Sequence, residues 1–232
     1  MRDNPAGKEN SENCVEDLPA TVTSVKAQKK RSDRYSLFCG DRFLVGVSAS
    51  TLIRFNLEKG VEITPALYEQ IATEENKGAL NDYLLRLLAR RDHSRNELKT
   101  KALQKGYNLE LIQQAIEVLD EKKYINDQEF ARKFTSDKIT IQQWGPLKIK
   151  AELHKRGIAE KTADFILQDT ANDLELIQIC VDLAIKRKRH FARESDDFKR
   201  KQKVAAYLQQ KGFPFEIINR ALPEIIDRLN AE

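Results

Sequence analysis

The run "IKRKRHFARESDDFKRKQK", residues 185–203, is where the side chains of this chain have most chemistry to offer. Lys186, Arg187, Lys188, Arg189, Arg193, Lys199, Arg200, Lys201 and Lys203 face only Glu194, Asp196 and Asp197, with Phe191 among them. So dense a set of like charges repels itself unless a polyanion or an acidic surface meets it. The bland reading is a solvated loop and helix ends; the sharper one is contact with nucleic-acid phosphate or an acidic protein. A smaller group, Arg86, Arg90 and Arg91 with Arg95, could extend it, and Lys148 and Lys155, seven residues apart, share one helix face opposite an apolar stripe. No catalytic constellation accompanies these cations. His93, His154 and His190 lie far apart, without HExxH or a cysteine at metal spacing, so no metal site is expected. Neither a phosphate-binding glycine loop nor GxSxG is present, so no cofactor and no enzymatic activity are expected.

These residues need scaffolding, and composition limits what it can be. Of 232 residues only 41% are apolar and 33% are charged, which suits small helical units better than one thick core. Net charge is only +4, so uneven distribution matters more than the total. Cys14, Cys39 and Cys180 are odd in number and widely separated, which argues against a disulfide framework or zinc and fits a reducing cytosol. Residues 1–19 read as a polar, disordered tail without the apolar run of a signal peptide, and no segment is apolar for long enough to span a membrane. Residues 20–64 read as a small β module: "TVTSVKAQ", "RYSLFC" and "RFLVGV" as strands, Gly40-Asp41 as a hairpin turn, a short helix capped by Ser50, and "VEIT" as an edge. Residues 65–78 read as a connecting helix or linker.

Three rounds of helices follow, over 79–125, 126–171 and 172–232. Ser94 with Glu97 and Asn126 with Glu129 are capping boxes; Asn108 is a further cap, and Asp196 or Asp197 another. Gly106, Gly157 and Gly212 each follow a basic residue and precede an apolar one, and the aligned positions eight and four before and six and ten after are apolar throughout. A period near 50 signals a tandem array of three-helix units. The glycine ends a helix in the left-handed conformation, the basic residue meets the negative helix end, and the next residue enters the core. Trp144, Gly145 and Pro146 stand ahead of one copy only. Pro146 opens a helix, and Trp144 is either a plug between helices or a partner anchor. Pro223 falls inside the last apolar stripe and is expected to kink it.

The blocks "YLLRLLARRDHSRNELKTKALQKGY", "YINDQEFARKF" and "WGPLKIKAELHKRGI" resemble the signature blocks of the RecX regulatory family, a resemblance extending over about residues 20–230. It implies a mainly α fold: three tandem three-helix repeats in an elongated, curved array after a small β-rich module. It also implies a cytoplasmic, monomeric regulator that binds the RecA–single-stranded-DNA filament and modulates it, mostly by inhibition, with weak, salt-dependent binding to single- or double-stranded DNA. Two other functions remain open on the residues alone: an autonomous helix-turn-helix-like DNA-binding protein, or a helical scaffold for an unrelated partner.

Overall fold

A computed structural model describes residues 14–29 and 31–231. The chain forms two compact units, one up to Tyr83 and one from Leu84 onward. The first residues of the expected tail lie outside the described range, but 14–17 form a 3₁₀ turn with Cys14 buried. The tail reading therefore does not extend over them. The strands are β1 (Ala20–Thr21), β2 (Ser24–Gln28), β3 (Arg31–Cys39) and β4 (Arg42–Ser48), followed by α1 (Ala49–Arg54) and β5 (Glu62–Ile63). β2, β3 and β4 make an antiparallel sheet whose hairpin turns at Gly40-Asp41, and β1 pairs with β5. Three short strands hold together only against a further layer. Val22, Leu37, Leu44, Val47, Leu57 and Ile63 pack with Ile71, which lies on α2 (Pro65–Leu88). Glu75 of the same helix accepts from the Ser48 backbone N–H at 2.7 Å and pairs with Arg34 at 2.9 Å.

Two expectations for this unit fail. The helix cap is Ser48, not Ser50: strand pairing persists to Ser48, opposite Arg34, so the extended cap residue sits there and its hydroxyl accepts from Thr51 N–H. Cys14 and Cys39, 25 residues apart, form a disulfide because the 3₁₀ turn folds back onto the β3–β4 hairpin. Cys180 is free and buried.

In the second unit the helices are α3 (Arg95–Gln104), α4 (Leu109–Glu121), α5 (Asp127–Thr140), α6 (Pro146–Lys155), α7 (Glu160–Thr170), α8 (Asp173–Ile185), α9 (Lys188–Phe191), α10 (Asp197–Gln210) and α11 (Phe215–Asn230). The caps are Ser94, Asn108, Asn126, Asn172 and Asp196, each accepting from a first-turn N–H. Gly106, Gly157 and Gly212 end α3, α6 and α10 with φ of +91°, +78° and +90°, conformations where a Cβ would cost about 1–2 kcal/mol. The apolar residue behind each glycine folds back: Tyr107, Ile158 and Phe213 donate their N–H to the carbonyls of Ala102, Leu153 and Leu208. The second and third repeats share one core, from Phe130 to Leu229, in which α8 is packed on several sides. Pro223 lies within α11, which continues to Asn230; its ring is exposed.

Candidate functional site

The second helices of the repeats meet end to end. At the joint of the second and third repeats, Gly145 N–H donates to the Lys211 carbonyl at 2.8 Å and Leu147 N–H to the Gly212 carbonyl at 2.9 Å. The start of α6 thus caps the end of α10, satisfying orphan groups of both helices. The backbones almost touch: a Cβ on Gly145 would lie 2.2 Å from the Gly212 carbonyl carbon, and one on Gly212 would lie 2.4 Å from Lys148 Cβ. At the joint of the first and second repeats, Ser94 Oγ donates to the Arg156 carbonyl at 2.7 Å, and a Cβ on Gly157 would lie 2.4 Å from Asn96 Cβ. Here the start of α3 receives the end of α6.

The two joints differ in charge. The first is neutralised by carboxylates. Glu97 accepts from Arg91 at 2.9 Å and from His93 Nδ1 at 3.0 Å, and pairs with Arg156 at 3.3 Å. Arg156 also pairs with Glu152 at 2.7 Å and lies over the Phe134 ring at 4.5 Å; Lys133 reaches Asp92 at 2.9 Å. Hydrogen bonds from Lys155 and Arg156 hold the Glu152 carboxyl at about 2. The second joint holds its cations on rings and amides. Lys148 and Lys138 lie 4.1 and 5.0 Å from the half-buried Trp144 ring. Arg187 lies 4.6 Å and Lys211 5.7 Å from the Tyr207 ring, and Lys186 donates to Gln143 Oε1 at 2.8 Å. Among the described residues none of these five cations has an ion-pair partner, although Asp137 and Asp182 lie on neighbouring stretches of α5 and α8. Cation–π contact at such partly exposed sites is worth only about 0.5–1 kcal/mol, so these side chains can be drawn onto an external anion.

The basic run divides. Arg200 is buried, donating to the Glu194 carbonyl at 2.8 Å and to Asn230 Oδ1 and pairing with Asp197 at 3.1 Å. Lys203 pairs with Glu194 at 2.6 Å, and Lys188 donates to the Ala231 carbonyl. These three are spent on structure, and Phe191, 1% exposed, pins the run to the core through α9, where the sequence reads as a loop. Arg189, Arg193, Lys199 and Lys201 are exposed, without ion-pair partners among the described residues. In the first repeat Arg91 and Arg95 are paired, Arg95 to Asp120 at 2.8 Å, while Arg86 and Arg90 are exposed. Lys155 is paired with Glu152 at 2.8 Å. Lys138, Lys211 and Tyr207 escape sequence reasoning, because only the joint brings them to the Trp144 cluster.

The sites of chemistry are sparse. Among the described residues no group of histidine, cysteine and carboxylate side chains could hold a metal. Burial pushes the Cys180 thiol up to about 12, far from a reactive thiolate. A groove of about 530 Å³ between α6 and α7 is lined by Leu147, Lys150, Ala151, His154 and Glu160 among others, with Lys150 tied to Glu160 and Asp164. No described helix is long and apolar enough to cross a membrane.

The first joint is acid-sensitive. His93 is 4% exposed, and burial, with help from the Arg91 and Lys101 charges, lowers its pKa below 6.5 against the pull of Glu97. For Glu97, burial raises the pKa, but the hydrogen bond and charge of Arg91, joined by His93, outweigh it and leave the carboxyl below 4.5. Both folded values are depressed, so in each case the unfolded chain takes up the proton first. The stability tied to His93 is complete above about pH 6.5 and falls as pH drops below that; the Glu97 part is present above about 4.5 and is lost as pH falls through its lowered value. Urea midpoints should therefore decline steadily from pH 7.5 to pH 4, and a flat profile would contradict this account.

Comparison with known proteins bears on the same segments. Residues 20–64 match the family model described as the regulatory protein RecX N-terminal domain. Residues 82–119, 126–165 and 173–222 match the RecX first, second and third three-helix domains. The chain is 31% identical over 215 residues to the regulatory protein RecX of Leuconostoc mesenteroides, covering 91% of this chain and 79% of that one. It is 28% identical over 206 residues to that of Clostridioides difficile, covering 89% and 96%. Among solved structures, a crystal structure of a regulatory protein RecX aligns with TM-score 0.71 at 24% identity over 87% of this chain and 98% of that one. RecX from Lactobacillus salivarius aligns with TM-score 0.60 at 24% identity, over 66% and 97%.

Proposed function

Since this chain belongs to the RecX family of regulatory proteins, we propose that it binds the RecA–single-stranded-DNA filament and inhibits RecA ATPase, strand exchange and coprotease activity. It does so as a cytoplasmic monomer without cofactor or chemistry of its own. The observation that carries this reading is the contrast between the joints: one sealed by carboxylates, the other leaving Lys138, Lys148, Lys186, Arg187 and Lys211 to an outside anion. Arg189, Arg193, Lys199 and Lys201 add further exposed cations without ion-pair partners among the described residues, and Trp144, packed on the core with Lys138 and Lys148 against its ring, would join the plug role to the anchor role. A nucleoprotein filament supplies phosphate and acidic side chains together, and binding one filament state better than another is what shifts its behaviour.

The test is titration into RecA-catalysed ATP hydrolysis on single-stranded DNA. The wild-type chain should slow hydrolysis, and changing Arg189, Arg193, Lys199 and Lys201 together to Glu should raise the concentration needed by about tenfold or more. Because all four are exposed, thermal stability should stay nearly unchanged. Equal potency in this variant would remove these four cations from the mechanism. Tight, sequence-selective duplex binding without RecA would favour an autonomous DNA-binding protein instead.

A further inference from the structure

Two of the three glycine turns are capped by the start of another helix, and the third is bare. Lys105 aligns with Arg156 and Lys211, whose carbonyls each accept a hydrogen bond across a joint. Lys105 and Gly106 present the same carbonyls in the same left-handed turn, yet among the described residues no donor reaches either. Both residues are exposed, and a Cβ on Gly106 would meet nothing within 4 Å.

We propose that the end of α3 at Lys105 and Gly106 is a socket for the start of a helix in the protein partner, one capped by glycine, serine or threonine. The two filled joints show what fits. At one, backbone N–H groups at the cap and second helical positions donate to the turn; at the other, a serine hydroxyl does. The negative end of α3 and the positive start of the incoming helix attract in the same way. The occupant must come close against the turn, as the Gly145 backbone and the Asn96 side chain do at the filled joints, so a bulky cap is excluded. Tandem stacking of a second copy does not fit: its aligned helix start, that of α10, is capped by Asp196, whose carboxylate already accepts from the N–H groups of Phe198 and Lys199. A carboxylate has no proton to give and would set negative charge against negative helix end.

This socket rests on the filament reading, with the recombinase as the partner. Photoreactive benzoylphenylalanine is placed at exposed Gln104, beside the turn, or at exposed Gln202, among the cations of α10. Each full-length variant is irradiated on the assembled filament and the adducts are mapped by mass spectrometry. The expected result is an adduct from position 104 to the first turn of a recombinase helix. Adducts from 202 but none from 104, or adducts from 104 to a strand, to a helix middle, to DNA or to a second copy of this chain, overturn the socket and leave the filament reading standing. If neither position reacts and ATP hydrolysis is unaffected, the filament reading falls and the socket with it.

Discussion

Replacing Gly145 by alanine should cost the fold about 3 kcal/mol. The position has an ordinary φ of −78°, so the reason is space alone. The added methyl would stand 2.2 Å from the Gly212 carbonyl carbon, 2.3 Å from its oxygen and 2.3 Å from Phe213 N. All three are backbone atoms of a turn already held in the left-handed region, so no rotamer change makes room. The joint must open, giving up the hydrogen bonds from Gly145 and Leu147. Gly106→Ala is the control: its φ of +91° is strained for alanine, but its surroundings are empty, so about 1 kcal/mol is expected. Urea unfolding of the two variants decides the matter. Equal losses would mean that Gly145 is not there for close approach. Amide exchange at Leu147 should also rise selectively in Gly145→Ala.

Glu97→Gln should cost about 2 kcal/mol at neutral pH. The carboxylate, 16% exposed, is the shared partner of Arg91, His93 and Arg156 at the first joint. An amide keeps the shape and removes the charge, leaving Arg91 without an ion pair and Arg156 with Glu152 alone. The exposure of Arg91 keeps the loss below that of a fully buried pair. The same substitution removes the pull that holds the His93 pKa up, so the decline in urea midpoint between pH 7.5 and pH 5 should become steeper, while the Glu97 share of the loss below about pH 4.5 disappears. A variant as stable as the parent at pH 7, with an unchanged profile, would show that the network is incidental.

Local signals were readable in the sequence because their causes are local. Ser94 and Asn126 cap as their capping-box spacing requires, and Gly106, Gly157 and Gly212 end helices because a basic residue, a glycine and an apolar residue in that order have one favourable way to turn. The joints were not readable. Gly145 and Gly212 are brought together by folding, and nothing in the composition around Gly145 separates a close approach from an ordinary helix start. Arg200 looks like its neighbours in the basic run; only the return of α11, with Asn230, brings a hydrogen-bond partner to its buried guanidinium. Cys14 and Cys39 misled for the same reason, since wide separation in sequence says little once a turn packs onto a hairpin. Of the surface cations, spacing could count them but could not divide those spent on structure from those left over.

The end-to-end stacking limits where this architecture can absorb insertions. From Ser94 to Gly106 and from Gly145 to Gly157 is twelve residues, whereas from Asp196 to Gly212 is sixteen. α6 is docked at both ends, so one inserted residue would turn one joint by about 100° relative to the other and shift it by about 1.5 Å. Neither set of contacts could then be kept without breaking its counterpart. α10 is docked only at its end, and it is there that the chain carries an additional turn of helix. Drift in length between related chains should accordingly gather at the start of α10 and in the connecting loops, and should spare the twelve residues that α6 must hold in register.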